Sequence, residues 1–179
     1  MSKYYPIAKP HISSKEIGAV TEVLKSGNLS LGPYYKEFEK KFAEKNGAKY
    51  GCAVSSGTAG LHLAMLAAGI KTGDEVITSP LSFVASANCI LYVNAKPVFV
   101  DIDPLTYNMD PAKIESAITP KTKAILAVHI FGQPADMTTI KKIAEKHHLK
   151  IIEDACESIC AEHHGQKAGT FGESAVFAF

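Results

Sequence analysis

Apolar positions in this chain follow two periods that take turns. Behind Ser13-Ser14-Lys15-Glu16, the residues Ile17, Val20, Val23 and Leu24 recur at steps of three and four, which predicts an amphipathic helix with its start signal in place. Gly27-Asn28 ends it, and Leu29 to Pro33 reads as a loop. Tyr34 to Glu44 forms a second helix with Phe38 and Phe42 on one face, closed by Asn46-Gly47. Tyr50-Gly51-Cys52-Ala53-Val54 is a short apolar run, expected as a buried strand. Leu61, Ala64, Met65 and Ala68 behind it are helical, ending near Gly69.

From there strands and helices alternate. Strands are expected at Glu75 to Thr78, Pro97 to Asp101, Lys123 to His129, Lys150 to Asp154 and Ala175 to Phe179. Helices are expected at Phe83 to Val93, Asp110 through Ile118 and Met137 to His147. The strands are continuous apolar runs without polar alternation, so they are buried on both faces. The fold class is therefore α/β: a three-layer sandwich, a mostly parallel sheet with helices on both sides. In such sheets ligands bind beyond the carboxyl ends of the strands. With no internal repeat or linker, the 179 residues point to one domain over 1–179.

Composition narrows the function classes. Hydrophobic residues make up 46% of the chain and charged residues 21%, enough apolar surface for a core. The 19 basic and 18 acidic residues leave a net charge of +1, which favours neither nucleic acid nor an anionic membrane as partner. Met1 to Pro10 is short and polar, unlike a secretion signal, and no run reaches the about 18 apolar residues of a membrane span. A cytoplasmic location is the expectation. Cys52, Cys89, Cys156 and Cys160 form no C-x-x-C pair and are expected as free thiols. His147-His148 and His163-His164 are adjacent pairs, whose side chains diverge on any regular element, so solvent exposure is expected rather than a metal site.

Val54 to Ala64 carries the first candidate chemistry. Ser55-Ser56-Gly57-Thr58 would turn a strand into a helix and leave unpaired N–H groups at the positive end of the helix dipole, which suits a phosphate. Ser55 or Ser56 as a plain N-cap, with Gly57 easing the turn, accounts for the same residues without a ligand. The chain has no G-x-G-x-x-G opening a helix, no G-x-x-x-x-G-K-[ST] and no G-x-S-x-G. What remains at the strand ends is Ser56-Gly57-Thr58, Ser82-Phe83, Asp101 to Asp103, His129, and Asp154 with Glu157. A phosphate cradle, a flat ring and a carboxylate suit a phosphorylated aromatic cofactor held by tail, face and ring nitrogen, and pyridoxal 5′-phosphate fits. An aspartate that caps the next helix, and a Phe83 in ordinary core, account for these residues as well.

The longer motifs add what spacing cannot. Ser26-Gly27-Asn28 with Gly32-Pro33, Ser56 to Ala64, Ser82-Phe83-Val84-Ala85-Ser86-Ala87-Asn88 and Pro97 to Asp103 are four of them. His129 to Met137 and Glu153-Asp154-Ala155-Cys156-Glu157-Ser158 complete the set. Over nearly its whole length the chain resembles the N-terminal portion of the DegT/DnrJ/EryC1/StrS family of sugar aminotransferases. The resemblance implies the large domain of the aspartate-aminotransferase fold, the type I fold of pyridoxal-phosphate (PLP) enzymes, with PLP as cofactor. By position, Gly57, Thr58 and Ala59 stand at the phosphate cradle and Phe83 on the pyridine face. Asp154 stands at the pyridine nitrogen and Glu157 near the phenolic oxygen. The implied reaction moves an amino group, typically from glutamate, to a keto sugar nucleotide in polysaccharide or glycan biosynthesis, in a homodimer.

The resemblance also implies a Schiff-base lysine a few residues beyond Phe179 and a C-terminal domain, neither of which this sequence contains. Lys167 lies too early for that role, and Ala178 stands where a phosphate-touching serine is common. The expectation is a truncated fragment with little or no activity alone, and an exposed apolar edge around Val176 to Phe179. A different class of function on the same fold is a non-catalytic binding module that pairs with a full-length relative.

Overall fold

The first helix, α1 (Ser14–Ser26), starts where its capping box dictates. Ser13 Oγ accepts from the Lys15 N–H, and the Glu16 carboxylate accepts the Ser13 N–H at 2.6 Å. Gly27 stops the helix in the left-handed region, at φ 72°. The computed structural model describes Pro6 and residues 9–179; the rest of the polar Met1 to Pro10 stretch lies outside the described residues. The chain falls into two compact units, Met1–Phe38 and Glu39–Phe179. The first holds α1, whose apolar stripe of Ile17, Val20 and Leu24 is exposed. Helix α2 (Pro33–Asn46) runs through the boundary.

The second unit holds the sheet. In chain order it contains α3 (Gly57–Ala67), β1 (Glu75–Thr78), α4 (Ala85–Tyr92), β2 (Lys96–Phe99), α5 (Pro111–Ala117) and β3 (Thr122–Val128). Then follow α6 (Met137–His147), β4 (Lys150–Asp154), a hairpin of β5 (Glu162–His163) and β6 (Gln166–Lys167), and β7 (Ser174–Val176). The main sheet runs β2-β1-β3-β4-β7, and every neighbouring pair is parallel.

Alternation along each strand feeds two separate cores, although the sequence shows only unbroken apolar runs. Val76, Ala124, Leu126 and Ile152 point to the face covered by Leu61, Ala64 and Met65 of α3 and by Cys89 and Ile90 of α4. Ile77, Ile125, Ala127 and Ile151 point to the opposite face, under Ile114 of α5 and Met137, Ile140 and Ala144 of α6. Each buried aliphatic side chain contributes about 1.5–3 kcal/mol. A helix cap contributes about 1 kcal/mol, so these two layers, not the caps, decide the fold.

Two crossovers place the site. The chain leaves β1 for β2 on one side, by way of α4, and returns by way of α5 to β3 on the other side of β1. Opposite crossovers from neighbouring strands open a crevice at the carboxyl ends, between β1 and β3.

Several expectations change. Residues 50–54 form no strand, and Tyr50, Cys52 and Val54 are exposed. Apolar composition was their only strand signal, and the segment has no ladder; its Ala53 N–H goes to Glu39 Oε1 at 2.8 Å. The last strand ends at Val176, which is buried against α3, while Phe177 meets Phe42 edge-on. Of the expected apolar edge Phe179 is the exposed residue, and its ring also meets Phe42 edge-on. The two-residue strands β5 and β6 sit in a stretch to which the sequence assigns no element, where His163 is held by Thr138 Oγ1 at 2.9 Å and is partly covered. His147 is likewise held, by Glu115 at 2.8 Å, while His148 and His164 are exposed as expected. All four cysteines are free thiols. No helix among the described residues is long and apolar enough to cross a membrane.

Candidate functional site

A cleft of about 340 Å³ opens at the crevice. Gly57 and Thr58 line it from the start of α3, Ser82 and Phe83 from the turn after β1, His129 from the end of β3, and Asp154, Cys156 and Glu157 from the end of β4. Four chain segments far apart in sequence meet here.

The start of α3 is an open N-terminus. Ser56 caps it, its hydroxyl accepting the Ala59 N–H at 3.1 Å. Among the described residues the N–H groups of Gly57 and Thr58 have no partner, and both residues face the cleft. Two free donors at the positive end of a helix dipole form an anion site. Ala59 is not among the residues lining the cleft, and its N–H is bonded to the Ser56 cap. The cap and the anion site therefore coexist, using different donors. Gly57 has to lack a side chain: a Cβ there would lie 2.9 Å from Ala178 Cβ and 3.2 Å from Cys156 Sγ.

Phe83 is 74% exposed, so it is not core. An aromatic ring left open at the mouth of a cleft offers its face to a flat ligand.

Asp154 and Glu153 are adjacent carboxylates with different tasks, because alternation along β4 turns them to opposite faces. Glu153 is fully buried and accepts the N–H groups of Gly169, Phe171 and Gly172 at 2.7–2.9 Å, with His129 Nε2 at 3.0 Å. It anchors the 169–172 loop. Asp154 faces α4, where Ser86 donates to its Oδ2 at 2.6 Å. Its Oδ1 has only a long contact, 3.4 Å, from the Cys156 N–H. No helix follows it, so it caps none.

Glu157 is fixed through Oε2, which accepts the Phe131 N–H at 2.6 Å. His129 lines the cleft but offers it no proton. Its Nδ1 accepts the Ala135 N–H at 3.1 Å, so the proton sits on Nε2 and goes to Glu153. Asp101 and Asp103 lie elsewhere, because β2 is the sheet edge farthest from β4. Asp101 lies 3.9 Å from Lys113, and Asp103 accepts the Leu105 N–H within its own turn.

Two participants are not among the expected site residues, and only Ser86 leaves a mark in the sequence, as a serine on an otherwise apolar helical stripe. Ser86 occupies a buried helical stripe, and Cys156 lines the cleft beside Gly57. Burial, with the Asp154 carboxylate nearby, pushes the Cys156 thiol up, which disfavours its thiolate form.

The model of the DegT/DnrJ/EryC1/StrS aminotransferase family matches residues 10–179. The spore coat polysaccharide biosynthesis protein SpsC of Bacillus subtilis is 47% identical over 98% of this chain and 45% of its own length. A GDP-perosamine synthase of Caulobacter vibrioides is 45% identical over 97% of this chain and 47% of its own length. An aminotransferase structure from Psychrobacter cryohalolentis superposes with a TM-score of 0.91 at 38% identity, covering 93% of this chain and 43% of that one. NtdA of Bacillus subtilis, solved with bound cofactor PMP, gives 0.83 at 42% identity, covering 88% and 37%. The chain spans about half the length of the curated relatives it matches. With the family match running through every segment that builds the cleft, the chain belongs to the DegT/DnrJ/EryC1/StrS aminotransferase family.

Proposed function

We propose that this chain builds the PLP site of an enzyme that transfers an amino group, with glutamate as donor, to a keto sugar nucleotide, working as a homodimer. The observation that carries the reading is one cleft in which an open helix N-terminus, an exposed aromatic face and a buried carboxylate converge. The sugar-nucleotide class is supported by relatives such as the GDP-perosamine synthases.

The residues fit the cofactor by their own chemistry. The free Gly57 and Thr58 N–H groups and the Thr58 hydroxyl take the phosphate, and the missing Cβ at Gly57 leaves room for it. Phe83 covers one face of the pyridine ring. Asp154, with spare capacity on Oδ1, holds the ring nitrogen protonated. Glu157 keeps its second carboxylate oxygen as an acceptor beside the cleft. When bound, the cofactor supplies the electron sink for amino transfer. Among the described residues no lysine lines the cleft, and the contacts assigned to the residues named here are all non-covalent.

Equilibrium dialysis against pyridoxamine 5′-phosphate (PMP) tests the reading. Saturable one-to-one binding is expected, weakened about a hundredfold by Asp154→Ala, the scale of a charge-assisted hydrogen bond lost in a buried site, and about tenfold by Phe83→Ala. Non-saturable uptake, or binding by both variants at wild-type strength, ends it.

A further inference from the structure

We infer that Ser86 is a positioning residue for Asp154, and that Ser82 and Ser86 form a directed relay that selects which Asp154 oxygen serves the cofactor. The inference rests on the reading of Asp154 given above and adds two residues to it.

Ser86, Cys89 and Ile90 form the buried stripe of α4, continued by Val93 at its C-cap. A hydroxyl in such a stripe is costly unless it is hydrogen-bonded. Ser86 Oγ lies 2.6 Å from Asp154 Oδ2 and 2.6 Å from Ser82 Oγ. An ionised carboxylate only accepts, so the single Ser86 proton goes to Oδ2. Ser86 can then only accept from Ser82, and the Ser82 proton points inward. The relay therefore has one direction, from Ser82 to Ser86 to Asp154.

Two consequences follow from that direction. Oδ2 is occupied by a short, charge-assisted bond, and Oδ1 keeps the free lone pairs. Ser82, which lines the cleft, shows it only lone pairs and so accepts from a ligand. Among the described residues no cation pairs with Asp154, and the Cys89 thiol beneath it is neutral, pushed up to about 12 by burial and by the Asp154 charge. The relay is what stabilises this buried carboxylate while leaving one oxygen available.

Two probes separate positioning from packing: PMP, and its 1-deaza analogue, in which a C–H replaces the ring nitrogen. The full chain should bind PMP at least tenfold more tightly than the analogue. Ser86→Ala should weaken PMP about tenfold and leave the analogue unchanged, and Ser86→Thr, which keeps the hydroxyl, should restore PMP binding to within about twofold. Ser82→Ala, at the cleft surface, should weaken PMP alone by about threefold, and it carries the test if Ser86→Ala does not fold. The relay is overturned if the wild type discriminates the probes but the serine variants leave their ratio unchanged. A wild type that binds both probes equally overturns the Asp154 reading, and the relay with it.

Discussion

Gly57 is a glycine for reasons of space, not of backbone freedom. It does not occupy the left-handed region, and Ala178 and Cys156 fill the room that a Cβ would need. Ala178 Cβ sits on the backbone and cannot swing aside, so Gly57→Ala has to displace the start of α3. Denaturant unfolding should show a loss of about 1–2 kcal/mol, the usual cost of overpacking by one methyl. PMP affinity should fall at least tenfold, because the Gly57 and Thr58 donors move with the backbone. Gly18 of α1 is the control: nothing lies within 4 Å of its Cβ, so Gly18→Ala should be neutral or stabilising by up to about 1 kcal/mol. At this scale the sequence reading picks out residues by type and position. Gly57, Thr58, Phe83, Asp154 and Glu157 do gather around one cleft. Ala59 has its N–H bonded to the Ser56 cap, and His129 has both ring nitrogens bonded, to Glu153 and Ala135. Neither arrangement leaves a mark in the sequence. Ser86 does leave one: a serine on an otherwise apolar helical stripe needs a buried partner.

Strands β1, β3 and β4 are legible because both faces of each are buried, which removes polar residues from the run. The same signal misreads residues 50–54, since apolarity does not supply a neighbouring strand. The β5–β6 hairpin is invisible for the opposite reason. Its strands are two residues each, and the turn is carried by His164 and Gly165 at φ 51° and 79°, a primed-turn pair without the usual asparagine. Helix starts are more readable, and Asp136 gives one whose strength depends on charge. It caps α6, accepting the Thr139 N–H at 3.1 Å and the Thr139 hydroxyl at 2.6 Å. Burial pushes its carboxyl up, but the two Thr139 donors and nearby His163 outweigh burial and leave it below its ordinary value. A carboxyl lowered by folding stabilises the protein above its unfolded-state pKa, and the benefit is lost as pH falls through the folded one. Asp136→Ala should therefore cost about 1 kcal/mol at neutral pH. In urea unfolding at a series of pH values, the gap to wild type should narrow below 3.8, the group's ordinary value. A gap that stays constant into strong acid would show that the charge is irrelevant to the cap.

At the scale of the whole molecule, the parallel sheet gives its two ends different characters. The carboxyl ends of β1, β3 and β4 open into the cleft, with an apolar floor and a few aimed polar groups. The amino ends of β3 and β4 carry a second hollow, lined by Glu115, Thr119, Lys123, His147 and His148, where Glu115 already binds His147. The first end has the open N-terminus of α3 facing it. Hydrogen exchange with and without PMP turns this asymmetry into a measurement. Without ligand, the buried amides of β3 and β4 should be slowest, and those of α1, which buries no residue, among the fastest helical ones. PMP at a hundred times its Kd adds about 2.7 kcal/mol to global stability, so amides that exchange only by global unfolding should slow about a hundredfold. Local protection should rise at residues 56–61, 82–86, 128–131 and 154–157, while 115–123 and 147–149 should change no more than the global term requires. Protection centred on the second hollow instead would move the ligand to the wrong end of the sheet and remove the physical basis for assigning Gly57, Phe83 and Asp154 to one site.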